Sequence, residues 1–301
     1  MQILYLTPKT DSPQDRLCRD TAELLKRYFN DNGNDYALCI MHYALNNSPA
    51  PDIVHLFGKP DAAAARCLHR AHRLHIPIII SPLGITNIPS QHILDIATYI
   101  HVSSPLEGEI VDAIGNLPIL INEESLPAFI PNPLLTRDVT IEQATSQFAQ
   151  LYANVIAEND EKITRQMADR IAKTYTDSST ASPNPSEGRE DANALLGWSP
   201  LPSEGSGEAV GVPDIALLVL KSQLFIARRK LPHTFLRQFA ETLHHPYNED
   251  HLMALLRALK LRTLMGRLLQ IMVETAQLTE GFMPMPPIDD RITEKIRKTI
   301  V

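Results

Sequence analysis

Ile76-Pro77-Ile78-Ile79-Ile80-Ser81-Pro82-Leu83-Gly84 decides the fold of this chain. Its three consecutive isoleucines are β-branched and apolar, with no polar alternation. Such a run suits a strand covered on both faces, as in a parallel sheet under helices. Residues 62–75, just before it, read as a helix. Ser81, Pro82 and Gly84 supply turn chemistry at its end. Ligands of open parallel sheets gather at the carboxyl ends of the strands, so this turn is the first place to look for a site.

The same alternation extends to either side. Residues 2–7 form a first strand. Ser12 caps the next helix, with Pro13 in its first turn and Asp15 three residues after the cap, and Asn32-Gly33 stops it. Residues 37–43 and 52–57 are the second and third strands, the latter ended by Gly58. Beyond the central strand, residues 98–102 are a fifth strand. Ser104-Pro105-Leu106-Glu107 opens a helix that ends at Gly115, and residues 117–121 are a sixth strand. Strand and helix alternate over about 130 residues, which implies an α/β fold with a doubly wound, Rossmann-like parallel sheet and right-handed crossovers.

After residue 137 the pattern changes. Ile141, Ala144, Phe148, Leu151, Tyr152 and Val155 recur at three and four residues, one buried helical stripe. Residues 138–176 are thus expected to pack on the α/β domain of residues 1–137. Residues 177–212 carry two copies of S-P-x-P-S-E-G, at 182–188 and 199–205, with Trp198 between them. A stretch so rich in Pro, Ser, Gly and Glu buries too little surface to offset its ordering entropy, and reads as a disordered linker. A proline-rich ligand for a partner domain is the second reading. Residues 213–301 form an all-α C-terminal module. Leu252, Leu255, Leu256, Leu259, Leu264, Leu268 and Leu269 follow helical spacing with one slip near Leu261. Read as an exposed stripe, they suggest a homodimer or protein partner through the C-terminal helices.

The formal net charge is −7, which argues against nucleic acid as the default partner. The helical module carries roughly +4 and the rest roughly −11, so the halves could dock, or the basic one could meet an anionic surface. Cys18, Cys39 and Cys67 show no CxxC spacing and read as reduced thiols. The start lacks a signal-peptide pattern, and the longest apolar run, residues 215–220, is far short of a bilayer span. A cytoplasmic protein without a transmembrane segment is expected.

Four stretches carry a family resemblance. Asp52-Ile53-Val54-His55-Leu56 looks like a D-x-V-H-x strand, and residues 76–84 look like the strand and turn written I-P-x-V-x-T-x-H-G. Val102-Ser103-Ser104-Pro105-Leu106-Glu107 looks like a later strand and helix start, and Ile130-Pro131-Asn132-Pro133 like a V-I-x-N-P-V crossing. In this order they resemble the amino-terminal, acceptor-side domain of group-1 glycosyltransferases of the GT-B fold. The resemblance covers about residues 1–137. It implies a carbohydrate acceptor, with Lys9, Thr10, His55, Gly84, Ser103 and Asn132 as candidate substrate-binding residues. It also shows departures. Leu83 stands where the family has a His, and a leucine can neither hydrogen-bond a sugar nor move a proton. The first loop, Pro8-Lys9-Thr10-Asp11-Ser12, has no glycine for close approach to a sugar nucleotide. No second α/β pattern follows the Asn132-Pro133 crossing, so the donor-binding domain is missing. No cofactor is expected unless a donor domain in another chain supplies a nucleotide sugar. Two readings stay open: a glycosyltransferase-like protein without autonomous transfer, and a non-catalytic binding or regulatory protein on a degenerate scaffold.

Other stretches gather titratable side chains. His69, His72 and His75 are spaced by three, which suits a solvated helix face; a metal would need further donors. His244, His245, Asp250 and His251 fit a surface turn or, with other donors, a metal site. Glu241 and Glu249 have the spacing of the family's paired donor-side glutamates, but they lie between helical segments. Lys9 and Thr10 follow the first strand, where they meet either a phosphate or sugar, or solvent. His55 lies inside a strand, as a core residue or a site residue. No catalytic residue and no metal ligand set is assigned.

Overall fold

A computed structural model of the chain describes residues 1–8, 12–31, 37–40, 49–84, 87–102, 141–180 and 210–301. The chain divides into two compact units, Met1–Glu161 and Lys162–Val301. The boundary falls inside one helix.

In the first unit, β1 (Gln2–Leu6), α1 (Pro13–Asp31), β2 (Ala37–Ile40), β3 (Ile53–Phe57), α2 (Ala62–Arg73), β4 (Ile78–Ser81), a short α3 (Gln91–Leu94) and β5 (Tyr99–Ile100) follow one another. Among the described residues, the strands form one sheet in the order β2-β1-β3-β4-β5, with every pair parallel. The chain steps from β1 to one side and then returns to the other, so the direction of travel reverses between β1 and β3.

Strand periodicity explains the two faces. Leu4, Leu6, Val54, Leu56, Ile78, Ile80 and Ile100 pack on Ala64, Cys67, Leu68 and Ala71 of α2 and on Ile93 and Leu94 of α3. Ile3, Tyr5, Ile53, Phe57 and Ile79 face the other way. They pack on Cys18, Ala22, Leu25 and Phe29 of α1, and on Phe148, Tyr152 and Val155 of α4 (Ile141–Thr180). Ile78, Ile79 and Ile80 are fully buried, as a strand covered on both faces requires.

The caps are local chemistry. The Asp15 amide donates to Ser12 Oγ at 3.1 Å, and the Ser12 hydroxyl returns a bond to the Asp15 carboxylate at 2.7 Å. At α2, the Asp61 carboxylate accepts from the amides of Ala63 and Ala64. α2 stops at Arg73, and His75 lies beyond it with φ of 53°. The third histidine of the spaced set has therefore left the helix. α4 runs on through Thr180, four residues into the stretch read from sequence as linker. The next helix opens at Val212, the linker's last expected residue. The expected helix after Ser104, the sixth strand, the Asn132-Pro133 crossing and both repeat copies lie outside the described residues.

The second unit holds the end of α4, then α5 (Val212–Ala227), α6 (His233–Leu243), α7 (Glu249–Ala258), α8 (Arg262–Ala276), a 3-10 turn (Glu280–Phe282) and α9 (Arg291–Arg297). Ile215 to Leu220 are all buried, so α5 is the unit's central helix. The slip in leucine spacing is a real break. Lys260 takes φ of 59° between α7 and α8, and the Leu261 amide bonds back to the Leu256 carbonyl at 2.7 Å.

The exposed leucine stripe expected from sequence is corrected here. Leu252, Leu255, Leu256, Leu259, Leu268 and Leu269 are buried in the unit's own core, because the break turns α8 back and both helices present their leucines inward. Among the described residues, no helix is long and apolar enough to cross a membrane.

The tail is tied down. Asp290 caps α9 and takes both Nε and Nη2 of Arg267. Arg297 bonds Glu274, Asp289 and Glu294. The amide of Leu231 donates to the Thr299 carbonyl, and the Val301 amide donates back to Leu231. Gly266 lets the segment before α9 lie directly on α8. The Ile288 amide donates to the Gly266 carbonyl at 2.9 Å, and a β-carbon at Gly266 would come within 2.6 Å of Ile288 Cδ1. Gly→Ala inside a helix usually stabilises by about 1 kcal/mol. Here Gly266→Ala is expected to destabilise by about 1–3 kcal/mol through overpacking. The same change in an Ile288→Ala background should regain the ordinary helical benefit. Urea denaturation of the four proteins checks this; a stabilising Gly266→Ala in the wild type would refute the close packing.

Candidate functional site

Sheet register builds the site. Tyr5 on β1 lies beside His55 on β3, and Ser81 closes β4 opposite Phe57. His101 follows β5, with its amide bonded to the Ile80 carbonyl. Tyr5, His55, Ser81 and His101 are all odd-numbered, so the pleat puts them on the face that α4 covers. Tyr152 reaches them from α4.

These five side chains form one buried hydrogen-bonded chain. Tyr152 Oη lies 3.4 Å from Tyr5 Oη and 2.7 Å from His55 Nδ1. His55 Nε2 lies 2.8 Å from Ser81 Oγ, which lies 3.0 Å from His101 Nδ1. With the Tyr152 hydroxyl as donor to Tyr5, one proton order satisfies every link. The Tyr152 hydroxyl donates to Tyr5, so its oxygen accepts from His55 Nδ1–H. His55 Nε2 then accepts from the Ser81 hydroxyl, whose oxygen accepts from His101 Nδ1–H. The His55 imidazole is neutral in this arrangement.

Electrostatics agree. Burial, followed by the neighbouring His101, holds the His55 imidazole well below its usual pKa. Burial pushes the Tyr5 and Tyr152 phenols far up, so both stay protonated. Among the described residues, no carboxylate acts on His55. Phe57 stacks on its ring at 4.0 Å between centroids. A cation–π contact there would return at most about 2 kcal/mol, against several kcal/mol for burying an unpaired charge. The neutral form wins. A Ser–His pair of this kind could in principle activate a hydroxyl, but Ser81 and His55 are both fully buried. The arrangement positions a helix on a sheet rather than presenting a nucleophile to a ligand.

The carboxyl edge of the sheet lies next to this chain. Gly58, just past β3, has φ of 75°, and a β-carbon there would sit 2.8 Å from Cys18 Sγ of α1. Pro8, after β1, and Asn87 line the same spot. Arg19 holds the Pro8 carbonyl at 3.3 Å. Burial first, and the nearby Asp15 carboxylate second, push the Cys18 thiol up to about 12, so it is not a nucleophile. In the turn after β4, Leu83 takes φ of 56° and packs in the apolar cluster under α1 and α4, and Gly84 takes φ of 134°.

Of the residues singled out from sequence, His55 is at the centre of the buried chain. Gly84 lies in the turn after β4, with open space where a side chain would be. Lys9, Thr10, Ser103 and Asn132 lie outside the described residues. His69 stacks on His92 at 6.0 Å between ring centroids. His244 packs edge-on against Phe282. Among the described residues, no group of three or more His, Cys, Asp and Glu is placed to hold a metal ion. Tyr152, Tyr5 and His101 were not legible as site residues. Tyr152 read only as one position of an apolar helical stripe, and strand alternation was the one signal that could have grouped Tyr5, His55 and Ser81. No protein-family model, curated protein or solved structure matches the chain.

Ser81→Ala removes the hydroxyl that both imidazoles share. Stranding buried polar groups costs about 1–3 kcal/mol, so the first unit should lose stability by that amount. Guanidinium unfolding followed by circular dichroism reads it, and an unchanged midpoint would remove the buried chain from the account.

Proposed function

We propose that this chain is a glycosyltransferase-like protein that keeps an acceptor-side α/β scaffold and does not transfer sugar on its own. Its work is then that of a binding or regulatory protein. The observation that carries this reading is the use made of the transferase-like positions. Leu83 fills the place of the family's histidine and is buried against the sheet. His55, in the D-x-V-H-like strand, is neutral, fully buried and bonded on both ring nitrogens. Neither can accept a sugar hydroxyl's proton.

The Rossmann-like, GT-B-type reading of the first unit belongs to this proposal. A parallel sheet in the order 2-1-3-4-5 with helices on both faces is one of the common doubly wound arrangements. In such sheets a ligand sits where the chain reverses, here past β1 and β3. That placement keeps a second reading in play, in which the crevice takes a carbohydrate acceptor and another chain supplies the donor domain. The Pro- and Ser-rich stretch is then a linker to the helical unit, the part left to meet a protein partner, and the setting is the cytoplasm.

Isothermal titration of the purified chain with UDP-glucose and GDP-mannose tests the proposal. No heat of binding is expected at concentrations up to about 1 mM, the upper end of ordinary substrate affinities. Micromolar binding of either sugar nucleotide would overturn it.

A further inference from the structure

The buried chain has a property that neither reading of the function uses. Its members differ in how firmly the backbone holds them. Tyr5, His55 and Ser81 sit in strands whose amides and carbonyls are locked in the ladder. Tyr152 sits on α4, which contributes no ladder bond. Among the described residues of the first part of α4, Phe148, Tyr152 and Val155 are buried against the sheet, with Ala149, Leu151 and Ile156 partly buried beside them. Tyr99 donates to the Glu158 carboxylate, and Asn159 donates to the His75 carbonyl at 2.9 Å. Among the described residues, lifting this segment breaks no bond of the strand ladder and takes the Tyr152 and Phe148 side chains off His55.

We propose that His55, with Ser81 and His101, is an acid-sensitive latch for the α4 segment that carries Tyr152. With a neutral His55 ring the latch is closed: His55 Nδ1–H donates to Tyr152 Oη, and Phe148 and Tyr152 of α4 lie against the imidazoles. A proton added to His55 Nε2 takes away the acceptor of the Ser81 hydroxyl and leaves a buried charge. Among the described residues the groups that face it are Tyr5 from β1, Phe57 from β3, Ser81 from β4, His101 after β5, and Phe148 and Tyr152 from α4, with no carboxylate among them. Water can offset the charge, once α4 lifts.

The direction follows from linkage. The closed-state pKa of His55 is depressed, and an exposed histidine titrates near about 6.5. The closed form therefore has its full advantage above about pH 6.5 and loses it as the pH falls toward the closed-state value. For each proton taken up on opening, the opening constant rises about tenfold per pH unit.

Hydrogen-exchange mass spectrometry of the full chain between pH 7.5 and 5.0, corrected for intrinsic exchange, tests the latch. Peptides covering residues 148–160 should open about tenfold more per pH unit below about 6.5. Peptides covering β3 and β4 should stay protected. His55→Gln, which keeps a neutral polar side chain, should flatten the slope, and Tyr99→Phe should leave it unchanged. Protection independent of pH, simultaneous opening of the strands, or the same slope in His55→Gln would each overturn the proposal. If His55→Gln does not fold, histidine NMR of the wild type decides: the His55 ring must charge only where the helix peptides have lost their protection, and a ring that charges while those peptides stay protected contradicts the latch.

Discussion

The first unit depends on one constraint: a histidine in the middle of a fully buried strand must find partners for both ring nitrogens and remain uncharged. A polar group left unpaired in such a place would cost about 1–3 kcal/mol, a large share of a domain's net stability. His55 meets the constraint through Ser81 in the neighbouring strand and Tyr152 in a helix 97 residues away in sequence. The second bond joins elements that sequence distance keeps apart. It also ties the register of α4 to the register of the sheet, because only a side chain at this height of the helix can reach Nδ1.

The same constraint bears on the proposed lack of sugar transfer. A residue built to satisfy the interior is a poor general base, since its proton affinity is lowered by burial and its nitrogens are occupied. Leu83 makes the complementary point. It holds a left-handed backbone, which costs a β-carbon-bearing residue about 1–2 kcal/mol, and burial of its side chain against the sheet offsets that strain. The turn after β4 has thus been given over to packing. At the reversal between β1 and β3, Gly58 is packed closely by Cys18, Pro8 and Asn87.

Much of the fold was legible in the sequence. The isoleucine run, the Ser12 and Gly58 boundaries and the alternation of element types are local signals, and the structure carries each of them. The site was less legible, for physical reasons. His55 could be singled out because a histidine in an apolar strand is conspicuous, but its partners come from strand register and from a distant helix, and neither is encoded locally. Tyr152 satisfied the helical stripe as a hydrophobic position, which hides its hydroxyl. The leucines of α7 and α8 were misread as exposed, because helical spacing fixes a shared face and not what covers it; the left-handed Lys260 settles that by turning the chain back.

The most direct measurement is of the His55 ring itself. Long-range nitrogen–proton correlation NMR of the full chain, with imidazole nitrogens labelled, reports both tautomer and charge. At pH 7.5 the account predicts one neutral histidine in the Nδ1–H form, with ring signals that do not follow an ordinary titration near pH 6.5. Assignment of that signal by its loss in His55→Gln would place it in the sheet. A His55 ring that titrates near 6.5 like an exposed imidazole, or that sits in the Nε2–H form, would contradict the buried chain and the reading built on it.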